Sequence, residues 1–552
     1  MLQAKIQESQ KRMYYEKGYW TEKTILDYWQ DTVFQYPNRE YITDSRGYRF
    51  TYGEIEDMSS RLASFLRETG VGQGDIVACQ VPVWAEFAVL AMACLKVGAV
   101  LNPISVTYEQ RDLLYFLNLH QPVLFVCPTW FRNHEFESGA VSLLRDMPFL
   151  KQVLLLDHDK AKTSDCPTMK EVLAQYPPLQ QWAKTSSDDV AILLCTSGST
   201  GVSKGAMLTH NNVLYSERQF NLELGLTKDD VMFMPSPLNH ATGFQHGIIA
   251  TMMMGARVVL QQKFVVSEAV DLMNREQCTY SMGATTFIYD ILKELEETKK
   301  ELKHLRFYLC GGAPVPGSMV QRAWEYGILL CEVYGSTEST PHLYVPPSET
   351  LRLNGTVSGR PVEGVEVRVI DADGNDVGIG EEGEEISRGP NVFVGYTTGM
   401  HATNCAIDED GWFHSGDLCI KNEEGFFRIT GRLKDIIIRG GENLNANQLD
   451  ENLEGCPQIA EHTVIGMPDP RMGERICAYV VLKEGVNSFT LEDLLDYLKA
   501  NQIPKWQWPE RVEIIDALPR TDSGKIKKYV LRKDIAKRMG ISEPQGAIAA
   551  IG

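Results

Sequence analysis

None of the chain's 12 cysteines forms a Cys-x-x-Cys pair, so neither a zinc ribbon nor a thioredoxin-type redox motif is written into its 552 residues. Several cysteines stand inside apolar runs, as in Ile192-Leu193-Leu194-Cys195, and are expected as small buried hydrophobes in a reducing compartment. The most apolar stretches, residues 87–95 and 247–255, fall well short of the ~18 residues a membrane span needs. The opening is polar and charged through Arg12, without the apolar core of a secretion signal, and a cytoplasmic location is expected. Basic residues are outnumbered 54 to 73, and a formal charge of −19 repels nucleic acid and anionic lipid. A nucleotide ligand survives this exclusion, because a glycine loop with a few lysines can reverse the potential inside one cleft.

The remaining composition, with 43% hydrophobic residues, is that of a globular protein with large cores. From about residue 51, apolar runs of strand length alternate with amphipathic segments: 76–81, 86–97, 99–102, 123–126 and 152–156, then 230–234, 255–260 and 305–310. That alternation predicts βαβ units and parallel sheets. After about residue 354 come short strands with Gly and Asp turns, at 365–370 and 384–388, then a unit with helices at 445–454 and 491–501 and strands at 463–466 and 476–482. The expected architecture is α/β: a large N-terminal body of doubly wound sheets with a small β-rich subdomain, over residues 1–432, then a small mobile α+β domain over 433–540. Residues 541–552 are expected as a disordered tail.

The most informative segment runs from a strand into Thr196-Ser197-Gly198-Ser199-Thr200-Gly201-Val202-Ser203-Lys204-Gly205. A loop of Gly, Ser and Thr wraps phosphate oxygens with backbone N–H groups and hydroxyls, while one ammonium offsets their charge. A Walker loop is excluded, since Ser203 and Gly205 flank the lysine where that pattern needs Gly and then Ser or Thr. The plainer alternative is a surface linker.

Five further segments follow in order: Gly311-Gly312-Ala313-Pro314, Tyr334-Gly335-Ser336-Thr337-Glu338, Trp412-Phe413-His414-Ser415-Gly416-Asp417, Gly431-Arg432-Leu433-Lys434-Asp435 with Gly440-Gly441 after it, and Pro519-Arg520-Thr521-Asp522-Ser523-Gly524-Lys525. Together with the loop, this set resembles the adenylate-forming superfamily of acyl-CoA synthetases, adenylation domains and luciferases. Read singly, the residues are ordinary. Tyr334-Gly335 is then a strand end, Ser415-Gly416-Asp417 a turn, Arg432 a surface arginine, Lys434 a linker residue and Lys525 one cation of a solvated basic run.

The resemblance implies that the 196–204 loop orients the β- and γ-phosphates of ATP, and that Gly311, Gly312, Ala313, Pro314, Tyr334 and Gly335 belong to the nucleotide site, where Tyr334 would stack on adenine. It further implies Thr337 at the α-phosphate, Glu338 on Mg²⁺, Asp417 and Arg432 on the nucleotide's ribose side, and Lys525 binding both carboxylate and α-phosphate. Lys434 would be a hinge that brings Gly440 and Gly441 to the site for the second step. For the acid, His240, Ala241 and Gly243 resemble one pocket wall and Gly283, Ala284 and Thr285 another; alone, His240 reads as a core histidine. No obvious cation awaits a second charged group on the acid, and the small residues are expected to leave room for an apolar chain.

The expected activity is that of an ATP-dependent acid:CoA ligase, using ATP, Mg²⁺ and coenzyme A and passing through an acyl-adenylate. The texture of Tyr14-Tyr15-Glu16-Lys17-Gly18-Tyr19-Trp20 and His240-Ala241-Thr242-Gly243-Phe244 is most similar to bacterial medium-chain fatty acyl-CoA ligases. Cyclic or aryl acids, or transfer to a separate carrier-protein pantetheine, form the alternative, and a nucleotide-binding module without catalysis is the reading from another class. A monomer or homodimer is expected, with no nucleic acid partner and no membrane span.

Overall fold

The computed structural model describes residues 5–108, 110–157, 160–196, 204–439, 442–521 and 524–540. The expected tail at 541–552 lies outside them. Two compact units emerge among the described residues: one of 5–196, 204–367 and 387–413, the other of 368–386 and 414–540.

The first unit is built on two sheets. Across the larger, the strands run in the order Arg360–Pro361, Leu343–Tyr344, Leu329–Tyr334, Phe307–Gly311, Tyr280–Ala284, Val231–Met234, Arg257–Leu260, Glu40–Asp44 and Arg49–Thr51. The six from Leu329–Tyr334 to Glu40–Asp44 are mutually parallel. Their side chains alternate between two cores: Met232, Met234, Val258, Leu260 and Leu309 enter one, while Phe233, Val259, Tyr308 and Cys310 enter the other with helices Thr285–Thr298 and Gly317–Glu325. Parallel strands covered on both faces are why these segments read as short continuous apolar runs.

The second sheet orders Lys204–Thr209, Val190–Thr196, Val100–Pro103, Ile76–Cys79, Leu124–Pro128 and Gln152–Leu156. It too is parallel, except that Lys204–Thr209 returns antiparallel beside Val190–Thr196. Helix Glu86–Val97 is buried over its whole length, so it carries no polar face. The doubly wound expectation holds.

In the second unit, strands Gly473–Leu482 and Ile459–Asp469 pair antiparallel, and their side chains again split by the period of two. Val464, Ile476, Ala478 and Val480 face Leu494 and Leu498 of helix Leu491–Ala500, while Ile465, Met467, Cys477 and Tyr479 face Leu531 and Ile535 of helix Lys528–Arg538. Strands Phe413–Lys421 and Phe427–Arg432 form an antiparallel pair preceding this sheet. Among the described residues, no helix is long and apolar enough to cross a membrane.

One buried charge sits in the first unit's core. The Lys96 ammonium, with none of its side chain exposed, donates to Glu56 at 2.7 Å and to the hydroxyls of Ser59 and Ser60 at 2.7 and 2.8 Å. Burial pushes its pKa down to about 8 against the pull of Glu56. Glu56 keeps other donors, Trp29 Nε1 and the Ser60 hydroxyl, whereas Lys96 would keep hydroxyls, a carbonyl and the face of Trp182, none of them an anion. Glu56→Ala is therefore expected to destabilise by about 3 kcal/mol, more than Lys96→Met. Urea unfolding midpoints check the order, and a larger loss for Lys96→Met would contradict this account.

Candidate active site

Four adjacent parallel strands of the larger sheet end at one edge, and the segments singled out in the sequence follow those ends. Val231–Met234 leads to His240, Tyr280–Ala284 to Thr285, Phe307–Gly311 to Gly312, Ala313 and Pro314, and Leu329–Tyr334 to Gly335, Thr337 and Glu338. Register places Ala284 opposite Gly311 and Gly283 opposite Cys310. In open parallel sheets this carboxyl edge is where ligands bind.

Each turn at this edge is fixed by backbone demands. Gly312 has φ +93°, a left-handed conformation that glycine adopts without strain. The loop after it is held by the buried Glu332 carboxylate, which accepts the Val315 N–H at 3.0 Å, leaving Ala313 and Pro314 exposed. A Cβ on Gly335 would lie 2.6 Å from the Pro341 backbone, so the 334–338 turn admits only glycine there. Tyr334 packs edge-on to His342 with centroids 5.3 Å apart, and Thr337 and Glu338 stay half-buried.

His240 introduces a π-helix, Thr242–Ile249, that no periodicity of the sequence predicts. The Thr242 N–H donates to His240 Nδ1 at 3.2 Å, and the Thr242 hydroxyl lies 3.1 Å from the same nitrogen. With Nδ1 accepting, a neutral ring carries its proton on Nε2. The smallness of Gly243 and Gly283 answers to packing: a Cβ on Gly243 would collide with the Pro237 carbonyl, and one on Gly283 would lie 2.5 Å from the Tyr308 hydroxyl and 2.9 Å from the Phe287 ring. Ala241 is buried, and Ala284 and Thr285 are half-buried.

The glycine loop springs from the second sheet. Thr196 and Lys204 face each other across the antiparallel ladder, and the Thr196 hydroxyl reaches the Lys204 carbonyl at 3.5 Å. Ser197, Gly198, Ser199, Thr200 and Gly201 lie outside the described residues. The Lys204 ammonium stands 4.7 Å from the centroid of the Tyr396 ring, and the Tyr396 hydroxyl donates to Glu338 Oε1 at 2.7 Å. Cation and carboxylate from different sheets thus meet on one phenol.

Sequence reasoning missed Tyr396 and the network packed against Gly205. His120 Nδ1 lies 2.8 Å from Asn102 Oδ1 and Nε2 lies 3.0 Å from the Thr397 hydroxyl. Burial pushes the His120 pKa down to about 4, so the ring is neutral, donating to Asn102 and accepting from Thr397. Asn102 in turn donates to the Leu193 carbonyl at 3.0 Å. Only the absent side chain of Gly205 pointed here: a Cβ on it would lie 2.5 Å from His120 Nε2 and 2.6 Å from Thr397 Oγ1.

In the second unit, Asp417 and Arg432 are register partners, joined by an ion pair of 3.0 Å between Arg432 Nε and Asp417 Oδ1. Asp417 is buried and Arg432 exposed, so the carboxylate is the fixed member. Lys434 follows in a one-turn helix, Leu433–Asp435, whose Lys434 carbonyl accepts from Arg532 at 3.0 Å and whose Asp435 pairs with Arg532 at 3.2 Å. Lys525 sits at a tight turn: Thr521 N–H donates to the Lys525 carbonyl at 2.8 Å, and Lys525 N–H donates to the Thr521 hydroxyl at 3.1 Å. Gly440 and Gly441 lie outside the described residues.

Gly205→Ala is expected to destabilise by about 1–3 kcal/mol, because backbone and a buried network must shift. Gly139→Ala, inside helix Glu137–Asp146 with nothing near its added Cβ, is expected to be neutral or stabilising by up to about 1 kcal/mol. Melting temperatures of the two variants test this; equal behaviour would refute the packing argument.

The family model described as AMP-binding enzyme matches residues 29–397, and that of the AMP-binding enzyme C-terminal domain matches 448–525. The chain is 40% identical over 532 residues to a medium-chain fatty-acid–CoA ligase of Escherichia coli, covering 96% of this chain and 94% of that protein. It is 32% identical to a feruloyl-CoA synthase of an Amycolatopsis species, covering 88% and 94%. ATP-bound MatB from Rhodopseudomonas palustris superposes with a TM-score of 0.84 at 28% identity, covering 94% and 100%. On this sequence match and this site, the chain belongs to the family of AMP-binding enzymes.

Proposed function

We propose that the protein is an AMP-forming acid:CoA ligase acting on a medium-chain fatty acid. ATP and the carboxylate first give acyl-adenylate and pyrophosphate; the coenzyme A thiol then attacks the acyl carbon and AMP leaves. The observation that carries this reading is the phenol-bridged pair of Lys204 and Glu338 beside four strand ends, in a chain 40% identical to a medium-chain ligase.

The difficulty of the first step is electrostatic: a carboxylate and a polyphosphate repel, and an unactivated carboxylate has no good leaving group. Positive charge and oriented donors around the reacting phosphorus lower that barrier. In the proposed division of labour, the loop with Thr196 and Lys204 binds the β- and γ-phosphates and Thr337 the α-phosphate, while Gly311, Gly312, Tyr334 and Gly335 border adenine. Asp417 accepts from ribose hydroxyls, which suits a carboxylate already fixed by Arg432. Lys525 is proposed to bind the carboxylate and α-phosphate during adenylation, and Lys434 to be the hinge on which residues 433–540 turn before thioester formation, with Gly440 and Gly441 serving that second step.

Mg²⁺ is proposed to enter with ATP. Among the described residues no group of three or more His, Cys, Asp and Glu could hold a metal by itself. A lone Glu338 carboxylate, one oxygen of which accepts from Tyr396, suits an ion that brings phosphate oxygens and water as its remaining ligands. His240, Ala241, Gly243, Gly283, Ala284 and Thr285 are proposed to border the acid. A cytoplasmic protein, as monomer or homodimer, fits this substrate set.

The feruloyl-CoA synthase relative favours a second reading, an aryl acid. A panel of straight-chain, cyclohexane and aryl acids, read by pyrophosphate release with and without coenzyme A, decides between them. Sustained pyrophosphate release that requires both acid and coenzyme A, and peaks at intermediate chain length, is the expected result. Turnover with aryl acids alone would replace the substrate, and no turnover with any acid would remove the reaction.

A further inference from the structure

We propose that Tyr396 is a positioning residue for MgATP, fixing Glu338 through its hydroxyl and Lys204 through its ring face. This rests on the reading that Lys204 and Glu338 face the nucleotide, and it adds a residue that the motif set does not contain.

The backbone around Tyr396 is tied to both partners. On one side, Thr397 N–H donates to the Gly205 carbonyl at 2.8 Å, Met207 N–H to the Gly395 carbonyl at 2.9 Å and Val394 N–H to the Met207 carbonyl at 3.0 Å. Residues 394–397 therefore run beside the strand that begins with Lys204. On the other side, Phe393 N–H donates to the Glu338 carbonyl at 2.7 Å, and Ser339 bridges Val392. Tyr396 N–H is taken by the Thr403 hydroxyl at 2.9 Å, and the ring packs against Phe393 with centroids 4.7 Å apart. The strap is thus immobilised before the side chain acts.

The side chain then does two separable things. Its ring offers a π face to an ammonium, which holds the charge without neutralising it. Its hydroxyl gives Glu338 a charge-assisted hydrogen bond, occupying one carboxylate oxygen and fixing the direction of the other. A carboxylate that must accept an incoming hydrated cation gains from such preorganisation, because less rotamer freedom is lost on binding.

The test is calorimetric titration of the full-length protein with ATP, with and without Mg²⁺ and without acid, followed by KM for MgATP and for acid. Tyr396→Phe keeps the ring and removes the hydroxyl, and is expected to weaken the Mg²⁺-dependent part of ATP binding about tenfold while changing binding without Mg²⁺ less than about twofold. KM for MgATP should rise and KM for the acid stay constant. Tyr396→Leu removes both contacts and is expected to weaken binding under both conditions, with circular dichroism reporting that each variant is folded. Glu338→Gln and Lys204→Met serve as references. If Glu338→Gln loses the Mg²⁺ effect and Tyr396→Phe retains it, the positioning role is overturned while the site reading stands. If both references bind as wild type, the site reading fails and takes this inference with it.

Discussion

A single phenol touches an ammonium with its face and a carboxylate with its hydroxyl, and the chemistry proposed for the first unit depends on that contact. Lys204 begins a strand of one sheet, and Glu338 lies in the turn after a strand of the other. Nothing in either sheet's own ladder fixes the distance between them. The strap at residues 392–397 does so, by pairing with the Lys204 strand and with the Glu338 backbone. Gly205 follows from the same constraint, since a side chain there would occupy the space of His120 and Thr397.

In a chain of formal charge −19, such local order matters more than in a basic protein. The surrounding field disfavours every anionic substrate of the proposed reaction, so attraction must come from a few cations held in place and from oriented backbone donors. The strand ends at residues 311 and 334 supply turns whose conformations are fixed by Gly312, Gly335 and Glu332. Within the second unit Asp417 and Arg432 are already paired with each other, and Lys525, whose role is proposed, stands at a turn closed by its own backbone. Groups that are set before substrate arrives are what electrostatic catalysis requires.

Much of this was legible in the sequence where burial on both faces leaves an unmistakable apolar run. The apolar runs at 86–97 and 152–156 coincide with the helix Glu86–Val97 and the strand Gln152–Leu156. The run at 255–260 becomes a strand only from Arg257, because Gly255, at φ +71°, ends the preceding helix Ala250–Met254. The strand expected at 463–466 extends over Ile459–Asp469, since Glu461 and His462 are held by pairing with Gly473–Leu482 rather than by hydrophobicity. The π-helix at Thr242–Ile249 has no period that sequence inspection detects. Tyr396 was invisible for a different reason: it gains meaning from contacts with residues 204 and 338, which no local pattern ties to it.

The central claim is that one chain performs two chemically distinct steps with different residues, and Lys525→Ala separates them most directly. Pyrophosphate exchange into ATP reports the first step, and thioester formation from supplied acyl-adenylate and coenzyme A reports the second. The account predicts that exchange is lost while thioester formation persists near the wild-type rate. Equal loss in both, or full retention of exchange, would contradict it.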